Sequence, residues 1–203
     1  MMRPSEHIQC VDFPCEDTNR ARYTVPGVDL DPSKVRILMV AEAPPPDEAN
    51  GFYAPGEPFY LQTTLQAFEQ AGVKATSMQE LLDRGVYITT AIKCGKTGYG
   101  VATQTVKNCS PLLEQEVALF PNVRAIMLMG DVAIKAMVDI AKRQTGRRTI
   151  PSGATYKVRK GEYAYGSVRL FPTYLMTGKS FLIEKSKQAM IADDIRAAMA
   201  LLD

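Results

Sequence analysis

The chain contains no tryptophan and a single histidine, His7, which is read as an exposed residue near the start. No apolar run approaches the roughly 20 residues that a spanning helix requires, which excludes a helical membrane protein. The opening stretch MMRPSEHIQCVDFPCED has no apolar segment of the kind a secretory signal carries, so a cytoplasmic protein is expected. Low-complexity tracts, internal repeats and dividing linkers are absent as well. A single domain over residues 1–203, with 1–35 as an N-terminal arm, is therefore expected, long enough for a sizeable core. Cysteine is sparse: Cys10, Cys15, Cys94 and Cys109. In a reducing compartment these are metal ligands or free thiols rather than disulfides.

What the chain does have is alternation. The runs RILMVA (36–41), VYITTAI (86–92) and RAIMLM (124–129) are apolar at nearly every position, as strands buried on both faces of a parallel sheet are. Helical patterns fall between them. FYLQTTLQAFEQAG puts Leu61, Leu65 and Phe68 on one face and closes on Gly72, a C-capping residue. Residues 103–120 form a second helical pattern, with Pro111 opening a new piece. GDVAIKAMVDIAKR follows the third strand, with Asp131 as candidate N-cap. VRLFPTY (168–174) reads as a fourth strand and 183–202 as a terminal helix. The expected fold is α/β: a three-layer α/β/α sandwich around a mostly parallel four-stranded sheet.

In such folds ligands bind beyond the carboxyl ends of the strands. That rule selects residues 41–48, 93–100 and 174–179. In the first, ILMVAEAPPPDE drives an apolar strand into Glu42 and then into three prolines. Proline fixes φ, so the loop after Glu42 is held in one shape at low entropic cost. Asp47 and Glu48 are read as loop solvation. The second loop, KCGKTGYG, carries Lys96 and Tyr99 and has glycines that would admit a phosphate, but it lacks the GxxxxGK[ST] order of a P-loop. Between 142 and 169 eight Lys/Arg, Arg147 and Arg148 among them, face one acid, Glu162, with Tyr156, Tyr163 and Tyr165 interleaved. Such a stretch suits a polyanion such as nucleic acid, or is a solvated hairpin with surplus cations. The four thiolates, from separated elements, would close an iron–sulfur or zinc site, or are unrelated buried thiols.

The order of these features resembles the uracil-DNA glycosylase superfamily, and within it the iron–sulfur family-four branch, over nearly the whole chain. Family members read GEAPG, then G-x-PF, then a strand ending NxxKC, and finally HPS. Here these become AEAPP (41–45), GEPF (56–59), TAIKC (90–94) and LMT (175–177). The resemblance implies a protein that hydrolyses the N-glycosidic bond of uracil or another deaminated base in DNA, as in base excision repair. It also implies a nucleoid-associated monomer and a [4Fe–4S] cluster on Cys10, Cys15, Cys94 and Cys109, with zinc as the alternative. Glu42 takes the catalytic position and Phe59 the position that stacks on the extruded base. Thr90, Leu175 and Thr177 take the base-binding positions, and Lys96, Tyr99, Arg147, Arg148 and Lys179 are expected to meet DNA.

Two departures stand out. Threonine at 90 cannot present the paired donor and acceptor of the family's amide, and Leu175 replaces the histidine that donates to the leaving base. Loss of one such donor costs on the order of 10²–10³ in rate. Thr173, Thr177 and Lys179 are the substitutes within the same loop. A relative that binds DNA or a modified base without cleaving it is the alternative expectation.

Overall fold

The computed structural model describes residues 1–202. In chain order the elements are β1 (Thr18–Asn19), β2 (Ile37–Ala41), α1 (Phe59–Gln70), α2 (Met78–Asp83), β3 (Val86–Thr90), β4 (Gly95–Lys96) and α3 (Thr103–Ala118). They continue with β5 (Ala125–Met129), α4 (Asp131–Thr145), α5 (Thr155–Val158), β6 (Tyr163–Tyr165), β7 (Val168–Thr173), α6 (Lys179–Ile183) and α7 (Lys185–Met199). β2, β3 and β5 are buried at every position, which explains their unbroken apolar runs.

The central sheet has the order β3-β2-β5-β7-β6. Its first four strands are parallel, and β6 is antiparallel to β7. α1 packs on α7 and α3 on α4, flanking the sheet as the outer layers of an α/β/α sandwich. The expected architecture is present, with five strands rather than four. The extra strand, β6, is a three-residue edge with partly exposed side chains. It has no continuous apolar run to betray it. A tight turn through Gly166, at φ 59°, joins it to β7. Among the described residues no helix is long and apolar enough to cross a membrane.

Two local expectations are corrected. α3 runs unbroken through Pro111, although a mid-helix proline removes a hydrogen bond and costs about 3 kcal/mol. The carbonyl left without its usual donor is that of Lys107, and the Ser110 hydroxyl donates to it at 3.1 Å, offsetting part of that cost. Asp131 is the first helical residue rather than the cap. Gly130, at φ 89°, occupies the cap position, and the Asp131 carboxylate instead accepts from the Thr155 hydroxyl at 3.3 Å. The expected terminal helix is present as α7, and a short helix not read from the sequence, α6, precedes it across Glu184, whose backbone is extended. Gly72 does close α1: it sits at φ 85°, and the Val73 amide returns to the Phe68 carbonyl at 2.9 Å.

Candidate functional site

Glu42 stands one residue beyond β2, and the sheet ladder continues past both strand ends to hold it. The Ala91 amide donates to the Ala41 carbonyl at 2.8 Å and the Ile92 amide to the Glu42 carbonyl at 2.9 Å. Pro44–46 then turn the chain, and Asp47 caps the short 3-10 turn Glu48–Asn50 by accepting from the Ala49 amide at 3.0 Å. The Glu42 side chain, 26% exposed, turns into a cleft and accepts from Lys96 Nζ at 2.8 Å. That cleft encloses about 250 Å³ between the Pro44–46 turn, Tyr60, Lys96, Leu175 and Thr177.

The wall that carries Lys96 is braced from behind by the N-terminal arm. β1 pairs antiparallel with β4, Thr18 opposite Lys96 and Asn19 opposite Gly95. Arg22 donates to the Pro46 carbonyl and to the Lys96 carbonyl, each at 2.7 Å. A single guanidinium thus ties the proline turn to the strand bearing Lys96. Gly95 makes this approach possible: a Cβ there would lie 2.7 Å from the Arg22 guanidinium. Asp17 joins the same arm to α3, accepting from the Ala102 amide at 2.7 Å and from the Thr105 hydroxyl. Burial opposes ionisation of Asp17, but these bonds outweigh it and hold its pKa below the usual carboxylate value.

Leu175, Thr177, Lys96 and Tyr99 all line the Glu42 cleft, Tyr99 fully exposed at its mouth. Lys179 is exposed at the first position of α6, two residues beyond Thr177. Phe59 begins α1 half-buried and does not line the cleft. Its neighbour Tyr60 does. Burial, and then the charge of Glu42, raise the Tyr60 phenol above its ordinary pKa. Thr90 opens instead on a larger cavity of about 490 Å³, walled by Pro44, Pro45, Phe52 and Tyr53. Pro44 separates the two spaces. Thr173 is buried, and its hydroxyl donates to Asp194 at 2.7 Å, so it offers nothing to the cleft. Arg148 lines a third cavity with Lys107, Lys135 and Lys142, while Arg147 is exposed just past α4. His7 is exposed, as expected. Tyr60 and Arg22 escaped the sequence reading. Tyr60 adjoins a motif residue, but nothing local marks Arg22.

The four cysteines come from the arm, the end of the β3 loop and α3, and all four are free thiols. Burial pushes the Cys94 thiol up to about 11, and the neighbouring Cys109, Cys10 and Cys15 add to it. Cys109 is raised too, by burial first and with Cys15 and Cys10 contributing. The thiols therefore stand within electrostatic reach of one another. Among the described residues no three His, Cys, Asp or Glu side chains are grouped tightly enough to hold a metal ion. Thiols are nonetheless the donor type that iron–sulfur and zinc sites use.

Beside Cys94 lies a wholly buried polar network. Lys93 pairs with Glu116, both side chains 0% exposed. Lys93 also donates to the Thr89 hydroxyl at 3.0 Å and the Thr90 carbonyl at 2.6 Å. Glu116 accepts from the Tyr87 hydroxyl at 2.7 Å and from the Thr89 hydroxyl at 2.9 Å. Among the described residues no buried side-chain polar atom lacks a partner.

The profile of the Uracil DNA glycosylase superfamily matches residues 28–192. The chain belongs to this superfamily. A curated relative, the Type-5 uracil-DNA glycosylase of Thermus thermophilus, is 26% identical over 163 residues, covering 76% of this chain and 72% of the relative. That relative bears the type-5 name, not that of the family-four branch which the motif order resembles. The superfamily match takes in Glu42, Lys96, Leu175 and Thr177, the walls of the cleft.

Proposed function

We propose that the Glu42 cleft hydrolyses the N-glycosidic bond of a deaminated base in DNA. One observation carries the reading: a carboxylate fixed by strand-end hydrogen bonds and a proline turn, aimed into a cleft of about 250 Å³ rather than into bulk water. As the base departs, positive charge develops at C1′ of the sugar. A preorganised carboxylate stabilises that charge and orients the attacking water. Negative charge builds on the leaving base at the same time, and Leu175 donates nothing to it. Tyr60 is the donor offered from the cleft wall, because burial and the Glu42 charge keep its phenol protonated. Replacing Tyr60 by Phe is expected to slow excision about tenfold, the worth of one hydrogen bond, with DNA affinity kept.

A uracil-containing oligonucleotide incubated with the protein and then with alkali should break at the uracil. No cleavage with stoichiometric protein, on single or double strands, would exclude uracil. A panel bearing hypoxanthine and xanthine then tests whether Thr90, set apart in its own cavity, accompanies a different base. Leu175 in the cleft favours a second reading, that of a DNA binder that does not cleave. Glu42→Gln separates the two, since an enzyme loses turnover whereas a binder has none to lose and keeps its affinity.

The thiols of Cys10, Cys15, Cys94 and Cys109, within electrostatic reach of one another, support a [4Fe–4S] cluster such as the resemblance to the iron–sulfur branch implies. Bound there, it would act structurally, tying the arm to the β3 loop and α3. Anaerobically purified protein should be brown, with absorbance near ~400 nm and about four iron atoms per chain. Colourless protein carrying zinc would overturn the assignment.

A further inference from the structure

We propose that Lys96 is a nucleophile that captures the abasic sugar through a Schiff base and cleaves the strand 3′ to it by β-elimination. The inference rests on the reading of Glu42 given above, which sets C1′ against that carboxylate. Lys96 Nζ lies 2.8 Å from Glu42 Oε1, so a carbon in contact with the carboxylate is also within reach of the amine. A near-attack separation of about 3–3.5 Å needs only a small rotation of the lysine stem.

Three observations set Lys96 apart from a phosphate contact. Its side chain is 25% exposed and turned inward to the carboxylate, whereas a phosphate-binding lysine gains by reaching outward. Its position is fixed from several sides: β4 pairs with β1, Arg22 holds the Lys96 carbonyl, and the Tyr99 carbonyl accepts from Nζ at 3.0 Å. Finally, a cation against Glu42 weakens the field that stabilises a cationic sugar. In a site built only for hydrolysis the lysine would work against the chemistry. As the nucleophile, it takes the place of that loss with a covalent bond.

The step balances without an oxidant or reductant. The open-chain abasic sugar presents an aldehyde at C1′. Glu42 takes a proton from Nζ, and the amine adds to C1′. The proton returns to the new hydroxyl, which leaves as water, giving an iminium between Nζ and C1′. Glu42 then removes a C2′ proton. The electron pair forms the C2′–C3′ double bond as the C3′–O bond breaks, and the 3′ phosphate departs. Water hydrolyses the conjugated imine, freeing Lys96 and an unsaturated aldehyde.

The test supplies the full chain with an oligonucleotide carrying a preformed abasic site, in the presence of sodium borohydride. Reduction of the imine should leave a protein–DNA adduct on a denaturing gel, mapping by mass spectrometry to Lys96. Lys96→Arg keeps the charge but cannot form the imine, so it should lose the adduct. No adduct with the unaltered chain, or an adduct that persists in Lys96→Arg, overturns the proposal. Uracil excision, read separately with alkali, distinguishes the two claims. Trapping without excision removes the glycosylase reading alone, and excision without trapping removes the lyase alone.

Discussion

Lys93 and Lys96 are three residues apart, and each ammonium meets a glutamate. Lys93–Glu116 is sealed in the core, where Glu116 also accepts from Tyr87 and Thr89 and Lys93 also donates to the Thr89 hydroxyl and the Thr90 carbonyl. Lys96–Glu42 stands a quarter exposed at the edge of a cleft. The difference is one of surroundings. A buried pair holds its place because separating the charges without water is prohibitive. A pair at a cleft can be exchanged for a ligand, since solvent or DNA takes over its hydrogen bonds. The first pair thus serves as a fixed post for the loop that presents the second.

The sharpest way to break that contrast is Lys93→Met. It strands the Glu116 carboxylate in the core, and the expected loss is about 3–5 kcal/mol, read as a lowered midpoint in urea. Combining it with Glu116→Leu should recover much of the loss, because two apolar groups need no partners. A Lys93→Met protein as stable as the parent would show that the core pair anchors nothing.

Glu42→Gln tests the other pair on its own ground. The substitution preserves shape and removes the charge, so excision of the damaged base should fall on the order of 10²–10³-fold. The urea midpoint should stay close to the parental value. Equal turnover by Gln and Glu would take the chemistry away from this carboxylate.

A smaller effect is expected at the clamp between the two walls. Arg22→Ala releases the carbonyls of Pro46 and Lys96, letting the proline turn and β4 drift apart. Since a misplacement of about 1 Å can cost up to 10²-fold, a roughly tenfold slower excision is expected, measured by single-turnover kinetics. The core pair should be untouched, so stability should drop only by about 1–2 kcal/mol for two charge-assisted bonds.

The two regions also differ in how far the sequence disclosed them. The strands were legible because burial on both faces leaves unbroken apolar runs, as in β2 and β5. Glu42 was legible because an acid at a strand end before three prolines breaks local pattern. β6 was not, since three partly exposed residues carry no periodic signal. Pro111 misled because the remedy, a hydroxyl one residue earlier, is a matter of side-chain direction. Arg22, Glu116 and Tyr60 acquire their roles from partners at long range: 24 and 74 residues away for Arg22, 23 for Glu116. No local reading reaches that far. The displacement of Thr90 into a separate cavity likewise depends on how Pro44 packs, not on Thr90 itself.

The least effect on stability is expected from Lys96→Met, and salt gives it diagnostic value. A pair a quarter exposed contributes under about 1 kcal/mol, and surface charges are screened over a Debye length of about 8 Å at physiological ionic strength. A double-mutant cycle of Lys96→Met with Glu42→Gln should therefore yield a small coupling in stability, shrinking as salt is raised. The corresponding cycle of Lys93 with Glu116 should give a coupling several times larger that salt leaves alone, because no counterion reaches a side chain with no exposed surface. If both couplings respond to salt alike, the core pair is wetter than its packing implies, and the distinction between post and cleft fails. If neither responds, the cleft pair is as locked as the core one, and Glu42 is not free to meet a sugar.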